Sequence, residues 1–173
     1  MDNIMLNKIA ARRSIRKYRD EKVPAELVKE LLKAAMSAPS ACNQQPWHFV
    51  VIEDKKVLAT LSEIHGGYTA MKNSPLVILV CGNPEAATLK QYWEHDCAAA
   101  TENIFLAAQA VELGAIWMGV TQAADRDMEI IRSALNLPQE IIPFSFVAVG
   151  YPAEFKEPAN RFDEAKVHYN SKW

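Results

Sequence analysis

With 173 residues, half of them hydrophobic, the chain can bury the core of a single domain, expected over 1–173. The formal net charge of −2 offers no global basic field for nucleic acid or an anionic membrane, so any anion site must be a local cluster. Cys42, Cys81 and Cys97 are widely spaced, without CxxC or Cys/His ligand spacing, and read as reduced thiols of a cytoplasmic protein, two of them in the core. The opening MDNIMLNKIAARR breaks its apolar pattern with acid and polar groups, unlike a signal region, and no run reaches the length of a membrane-spanning helix.

In chain order, Asp2 is expected to cap a short helix carrying Ile4, Met5, Ile9 and Ala10. RSIRKY (13–18) reads as extended. Pro24 suits the first turn of a helix whose apolar stripe is Leu27, Val28, Leu31, Leu32, Ala34 and Ala35, and Pro39 ends it. WHFVVIE (47–53) predicts a strand, after which Asp54 caps a helix with Val57, Leu58, Leu61 and Ile64. PLVILVCG (75–82) is the clearest central strand. Residues 91–113 predict the longest helix, rich in alanine along its middle, with Gly114 as its C′ residue. AIWMGV (115–120) predicts a short strand or strand-like turn, 125–136 a helix, and FSFVAVGYP (144–152) a final strand and turn. From Ala153 the chain is polar and proline-punctuated, yet too rich in specific side chains to be idle. Helices and strands mix without strict βαβ alternation, which predicts an α+β fold.

Two stretches carry chemistry. Arg12, Arg13, Ser14 and Arg16 cluster in the extended segment, where alternate residues share a face, so Arg12, Ser14 and Arg16 are expected to point together. Two guanidiniums flanking a hydroxyl suit a phosphate; the same motif alone also fits a solvated basic patch. PSACNQQPWHF (39–49) crowds Ser40, Asn43, Gln44 and Gln45 before a strand, as if to meet a ligand rich in donors and acceptors. The six glycines form neither GxGxxG nor a P-loop, the four histidines show no metal-ligand spacing, and no GxSxG elbow occurs. Glu94, His95 and Asp96 cannot converge, because successive helical residues point about 100° apart. A solvated helix start is expected there. Cys42 reads as a small loop or core thiol.

ARRSIRKY, SAPSACNQQPWHFVVI, GYTAMK with NSPLVILV, YWEHDCAAATENIFLAAQAVELGAIWMGV, FSFVAVGYP and the tail from Arg161 together resemble the nitroreductase family of FMN-dependent oxidoreductases. The resemblance runs in order along nearly the whole chain. It implies a central, mostly antiparallel sheet flanked by helices, in an intertwined homodimer whose C-terminal tail reaches the partner. It further implies that Arg12, Ser14 and Arg16, with Arg13, grip the FMN phosphate, ribityl chain and pyrimidine edge. Pro39, Ser40, Ala41 and Asn43 match the loop that reaches the flavin from the partner subunit. Trp117, Met118 and Gly119 match the segment under the isoalloxazine, where backbone N–H groups meet the ring, and Arg161 matches a late basic residue at the phosphate. Many relatives carry a lysine where this chain has Ala159, which implies weaker phosphate affinity or compensation by Arg13.

The implied activity is hydride transfer from NADH or NADPH through FMN to a small acceptor such as a nitroaromatic or quinone, in a ping-pong cycle. The flavin carries that chemistry, so no catalytic side chain and no metal is expected. Tyr68, Tyr92 and Trp93 are candidates to line an acceptor slot. The alternatives are a flavin-binding or storage protein without physiological turnover, and a same-fold enzyme for reductive dehalogenation or flavin breakdown. A flavin-free interaction module is the remaining one.

Overall fold

The computed structural model describes residues 3–120 and 125–173. Four strands, β1 (Trp47–Ile52), β2 (Leu76–Gly82), β3 (Gly114–Gly119) and β4 (Ile142–Gly150), form one sheet in the order β1-β2-β4-β3. Every neighbouring pair is antiparallel. The helices are α1 (Ile4–Ala11), α2 (Ala25–Met36), α3 (Lys55–Ser62), α4 (Trp93–Ala110) and α5 (Asp125–Leu135). The α+β expectation is met: the four strands pair antiparallel, and a parallel bridge from Ser14 joins β3 at Ala115.

The continuous apolar run of β2 follows from cover on both faces. All seven of its residues are buried, and their side chains alternate between two clusters. Leu76, Ile78 and Val80 pack with Leu31 and Ala35 of α2 and with Ala100, Ile104 and Ala108 of α4. Val77, Leu79 and Cys81 pack with Leu58 and Leu61 of α3, Met71, and Ile131 of α5. At about 1.5–3 kcal/mol per buried aliphatic side chain, these two layers dominate the favourable side of folding. Cys97 is buried with Cys81, and Cys42 is exposed on its loop.

The ends of the helices follow local chemistry. Asp54 caps α3, accepting from the N–H groups of Lys56 (2.7 Å) and Val57 (3.2 Å). The cap of α1 is Asn3, whose Oδ1 accepts from Met5 and Leu6; the expected Asp2 cap lies outside the described residues. None of α1 is buried, so its apolar positions face outward. Gly114 is not the C′ residue of α4. That place is taken by Glu112, at φ 62°, while Leu113 N–H donates to Ala108 C=O at 2.8 Å to close a Schellman turn. Gly114 begins β3 instead, because a Cβ there would lie 2.8 Å from Ile15.

The two positions therefore predict opposite effects. Gly114→Ala should lower stability by about 1–3 kcal/mol through overpacking against Ile15. Glu112→Gly should raise it, by up to about 1 kcal/mol, by removing left-handed strain. Urea unfolding of both variants measures the signs.

Candidate functional site

Residues 13–19 run along the sheet without becoming a regular strand. Ser14 bridges Ala115 of β3 in parallel, with Ile15 N–H donating to Ala115 C=O at 2.9 Å, and Tyr18 bridges Pro152 beyond β4. The buried side chains here are Ile15 and Tyr18, an interval of three, so the two-residue alternation does not run through the segment. Tyr18 Oη lies 2.6 Å from Ile15 O and 3.1 Å from Ala148 O, and burial pushes its pKa up.

That short pairing leaves the second half of β3 open. A strand residue turns its N–H and C=O to one side and its neighbours turn theirs to the other. Ala115 faces Ile15, and Val120 N–H faces Phe144 C=O of β4 at 2.9 Å. Trp117 and Gly119 therefore present their backbone groups away from β4. Gly119 C=O accepts from the Tyr68 hydroxyl at 2.9 Å on that outer side. Met118, by the same alternation, turns its backbone groups toward β4, and its side chain is buried. Among the described residues, a Cβ on Gly119 would meet nothing within 4 Å, so their packing does not demand a glycine there.

Arg12 lies beside the open edge. Its guanidinium sits over the Phe105 ring at 5.4 Å, and Nε is 3.8 Å from Glu102 of α4. Phe105 in turn meets Trp117 at 6.4 Å between ring centroids. Arg12, Ser14 and the β3 edge are thus brought together. Arg13 is engaged elsewhere, donating to the Glu157 carbonyl of the tail. Arg16 is exposed, and its backbone N–H donates to Glu154 Oε1 at 2.6 Å. Lys156 pairs with Glu154 at 3.2 Å and donates to Ser14 C=O at 2.7 Å. The start of the tail therefore locks the arginine segment in place, which sequence reasoning missed. Further along, Arg161, Phe162, Tyr169 and Trp173 are exposed.

The amide loop folds as a strained unit. Cys42 (φ 49°), Asn43 (φ 54°) and Gln45 (φ 46°) are all left-handed, a conformation costing a non-glycine residue roughly 1–2 kcal/mol, less for asparagine. Ser40 Oγ accepts from Gln45 N–H at 3.0 Å, and Gln45 Nε2 donates to Asn43 Oδ1 at 2.8 Å. Gln44 turns inward: Oε1 accepts from Leu89 N–H at 2.9 Å, and Nε2 donates to Asp96 Oδ2 at 2.6 Å. Asp96 Oδ1 accepts from Ala41 N–H at 2.8 Å. Asp96 is thus not part of a solvated helix start. It is 4% exposed, whereas Glu94 and His95 beside it are exposed. The signal was available, since Asp96 shares the buried stripe of Trp93 and Ala100 at helical spacing. Pro39, Ser40, Ala41 and Asn43 remain at or near the surface.

Two candidate slot residues belong to the core instead. Tyr68 is 4% exposed and meets Phe146 edge-on, and its hydroxyl pKa is pushed up to about 12 by burial and by nearby Asp127. Trp93 is buried against Phe144 and Gly82. Tyr92 is exposed. Among the described residues no group of three or more His, Cys, Asp or Glu could hold a metal ion, and no helix is long and apolar enough to cross a membrane.

The profile of the nitroreductase family matches residues 9–66 and 65–151. The chain belongs to the nitroreductase family. A family relative from Methanothermobacter thermautotrophicus is 41% identical over 169 residues, covering 98% of this chain and 87% of its own; its name offers NADH dehydrogenase and NAD(P)H nitroreductase as candidate activities. An FMN-dependent nitroreductase structure from Clostridium difficile R20291 superimposes with a TM-score of 0.89 at 32% identity, covering 96% of this chain and 99% of its own. A candidate nitroreductase from Desulfovibrio desulfuricans, solved in complex with FMN, gives 0.83 at 29% identity, covering 100% and 99%.

The lock on the arginine segment has a pH signature. The Arg16 N–H hydrogen bond, with help from Lys156, holds the Glu154 carboxyl below its ordinary value of 4.5 against a smaller opposing effect of burial. A depressed carboxyl contributes stability that is complete above its unfolded value and is lost as pH falls through its lower folded value. The stability advantage of the native protein over Glu154→Gln should therefore be constant from about pH 7 to about pH 5 and shrink below about pH 4.5. Thermal unfolding of both across that range measures it.

Proposed function

We propose that this chain is an NAD(P)H-dependent FMN oxidoreductase, cytoplasmic, working as a homodimer with two equivalent sites. It passes hydride to a small acceptor such as a nitroaromatic or quinone. The observation that supports this most strongly is the open edge at Trp117 and Gly119 beside Arg12 and Ser14. Outward backbone groups, a glycine with open space beside it among the described residues, and a guanidinium held over Phe105 suit a planar, phosphorylated heterocycle. Arg12 and Arg16 would hold the phosphate through paired N–H donors, with Arg161 approaching from the tail. Trp117 and Gly119 would set the ring against β3, while Ser40, Ala41 and Asn43 would close over it from the second subunit.

FMN, when bound, supplies the hydride-carrying chemistry. The chain's part is to bind, orient and charge-balance it, which agrees with relatives named an FMN reductase acting on NAD(P)H and NADPH-dependent oxidoreductases. The dimer is supported by apolar surface left outside in one chain. Ile4, Met5, Leu6 and Ile9 on α1 and Trp173 at the tail are all strongly exposed.

Binding, turnover and assembly each test the reading. FMN should bind at one per chain, and Gly119→Val should weaken it about tenfold with little change in melting temperature, because the new side chain meets only the ligand. Arg12→Ala with Arg16→Ala should weaken it roughly a hundredfold in a folded protein, at about 1.5 kcal/mol per charge-assisted bond lost. Unchanged FMN affinity in both variants would overturn the site. Steady-state kinetics with a nicotinamide and a quinone should give parallel double-reciprocal lines; intersecting lines would rule out one shared pocket. FMN binding without reduction by either nicotinamide would make this a storage protein. Sedimentation at low micromolar concentration should show a dimer.

A further inference from the structure

We propose that Asp96 is a positioning residue for the flavin site: its buried carboxylate holds the strained 40–45 loop in the shape that meets the ligand. The proposal rests on the FMN reading above. Asp96 stands in the first turn of α4, where the helix N-terminus favours negative charge. Both of its oxygens are spent on the loop, Oδ1 on Ala41 N–H and Oδ2 on Gln44 Nε2. Gln44 then carries the connection on to Leu89, donating to its carbonyl at 3.3 Å and accepting from its N–H at 2.9 Å. Three left-handed residues within four positions persist only where the surroundings over-determine them, and strain of this kind collects at functional sites. The two anchored residues, Ala41 and Gln44, bracket Cys42 and Asn43, two of those three. What the clamp fixes is therefore the placement of Ala41 and Asn43, the loop residues assigned to the flavin.

The chemistry of the clamp is specific to a carboxylate. Both atoms that Asp96 offers must accept, since both partners donate. Asparagine would set its own N–H₂ against one of those donors. Gln44 cannot turn its amide over to relieve this without breaking both contacts to Leu89. Exchanging the roles relieves it at the clamp: with Asp96→Asn, a carboxylate introduced by Gln44→Glu would accept from the new amide and still accept from Leu89 N–H, giving up only the longer donation to the Leu89 carbonyl.

The test is a double-substitution cycle in the dimeric protein, reading amide hydrogen exchange over residues 40–45 and FMN affinity by fluorescence titration. Asp96→Asn alone should speed exchange in the loop and weaken FMN about tenfold. Gln44→Glu alone, which sets two carboxylates together, should do the same. The double variant should recover protection and bring FMN affinity to within about threefold of the native protein. Wild-type protection and affinity in Asp96→Asn would overturn the proposal. So would a double variant no better than the worse single one, since a merely structural hydrogen bond would not be rescued by exchange. Loosened exchange with unchanged FMN affinity would also overturn it, showing that the loop does not serve the flavin. If Asp96→Asn fails to fold, Gln44→Met, which keeps volume and removes only the side-chain link, should loosen the loop and weaken FMN in the same direction. The same outcomes overturn the proposal in that variant. A native protein that takes up no FMN would sink the functional reading instead, and the exchange data would still report on the clamp.

Discussion

The hydrogen bond from Ile15 N–H to Ala115 C=O sets the boundary on which the functional half of the molecule depends. Up to Ala115, the outer edge of β3 is covered by the incoming N-terminal segment. Beyond it the segment diverges to pair with Tyr151 and Pro152, and the edge is released. An uncovered edge is a liability in a soluble protein, because unpaired backbone groups recruit other strands. Here the released stretch is only Trp117 to Gly119, too short to template another strand. It turns the backbone groups of Trp117 and Gly119 away from β4, beside Arg12.

Helix α4 supplies the second fixed element. Its buried stripe packs on the sheet through Ala100, Ile104 and Ala108, so its axis cannot shift without disturbing β2 and β4. From that anchored position its first turn holds the amide loop through Asp96. About two turns later Glu102 and Phe105 receive Arg12. The loop and Arg12, which the proposed dimer would give to different sites, are thus both fixed to one rigid rod rather than to flexible connections.

Much of this was legible in the sequence. Hydrophobic periodicity located each strand and helix to within a turn, and it did so because β2 and β4 are covered on both faces and α2 on one. The arginine cluster and the amide loop stood out by composition. What stayed hidden was pairing between distant segments. The tail's grip through Glu154 and Lys156 joins residues far apart in the chain, and no local pattern marks it. Asp96 was misread because neighbouring acids and a histidine suggest solvent, whereas burial is decided by angular position on the helix. Gly114 was misread for a related reason: proximity to a helix end made it a cap, but its real neighbour is Ile15, nearly a hundred residues away in sequence. Tyr68 and Trp93 were placed in a slot on aromaticity alone, while their packing partners Phe146 and Phe144 lie on β4.

Gly119 separates two kinds of selection that usually act together. Among the described residues its Cβ position meets no neighbour, and its backbone is ordinary strand, so packing against them would accept many side chains there. A survey of variants scored by abundance or solubility would pass over it as neutral. The same survey scored by growth on an electron acceptor would find it intolerant. Sequence drift at this position would then track loss or change of ligand rather than loss of fold, making it a marker for relatives that keep the scaffold after abandoning the chemistry.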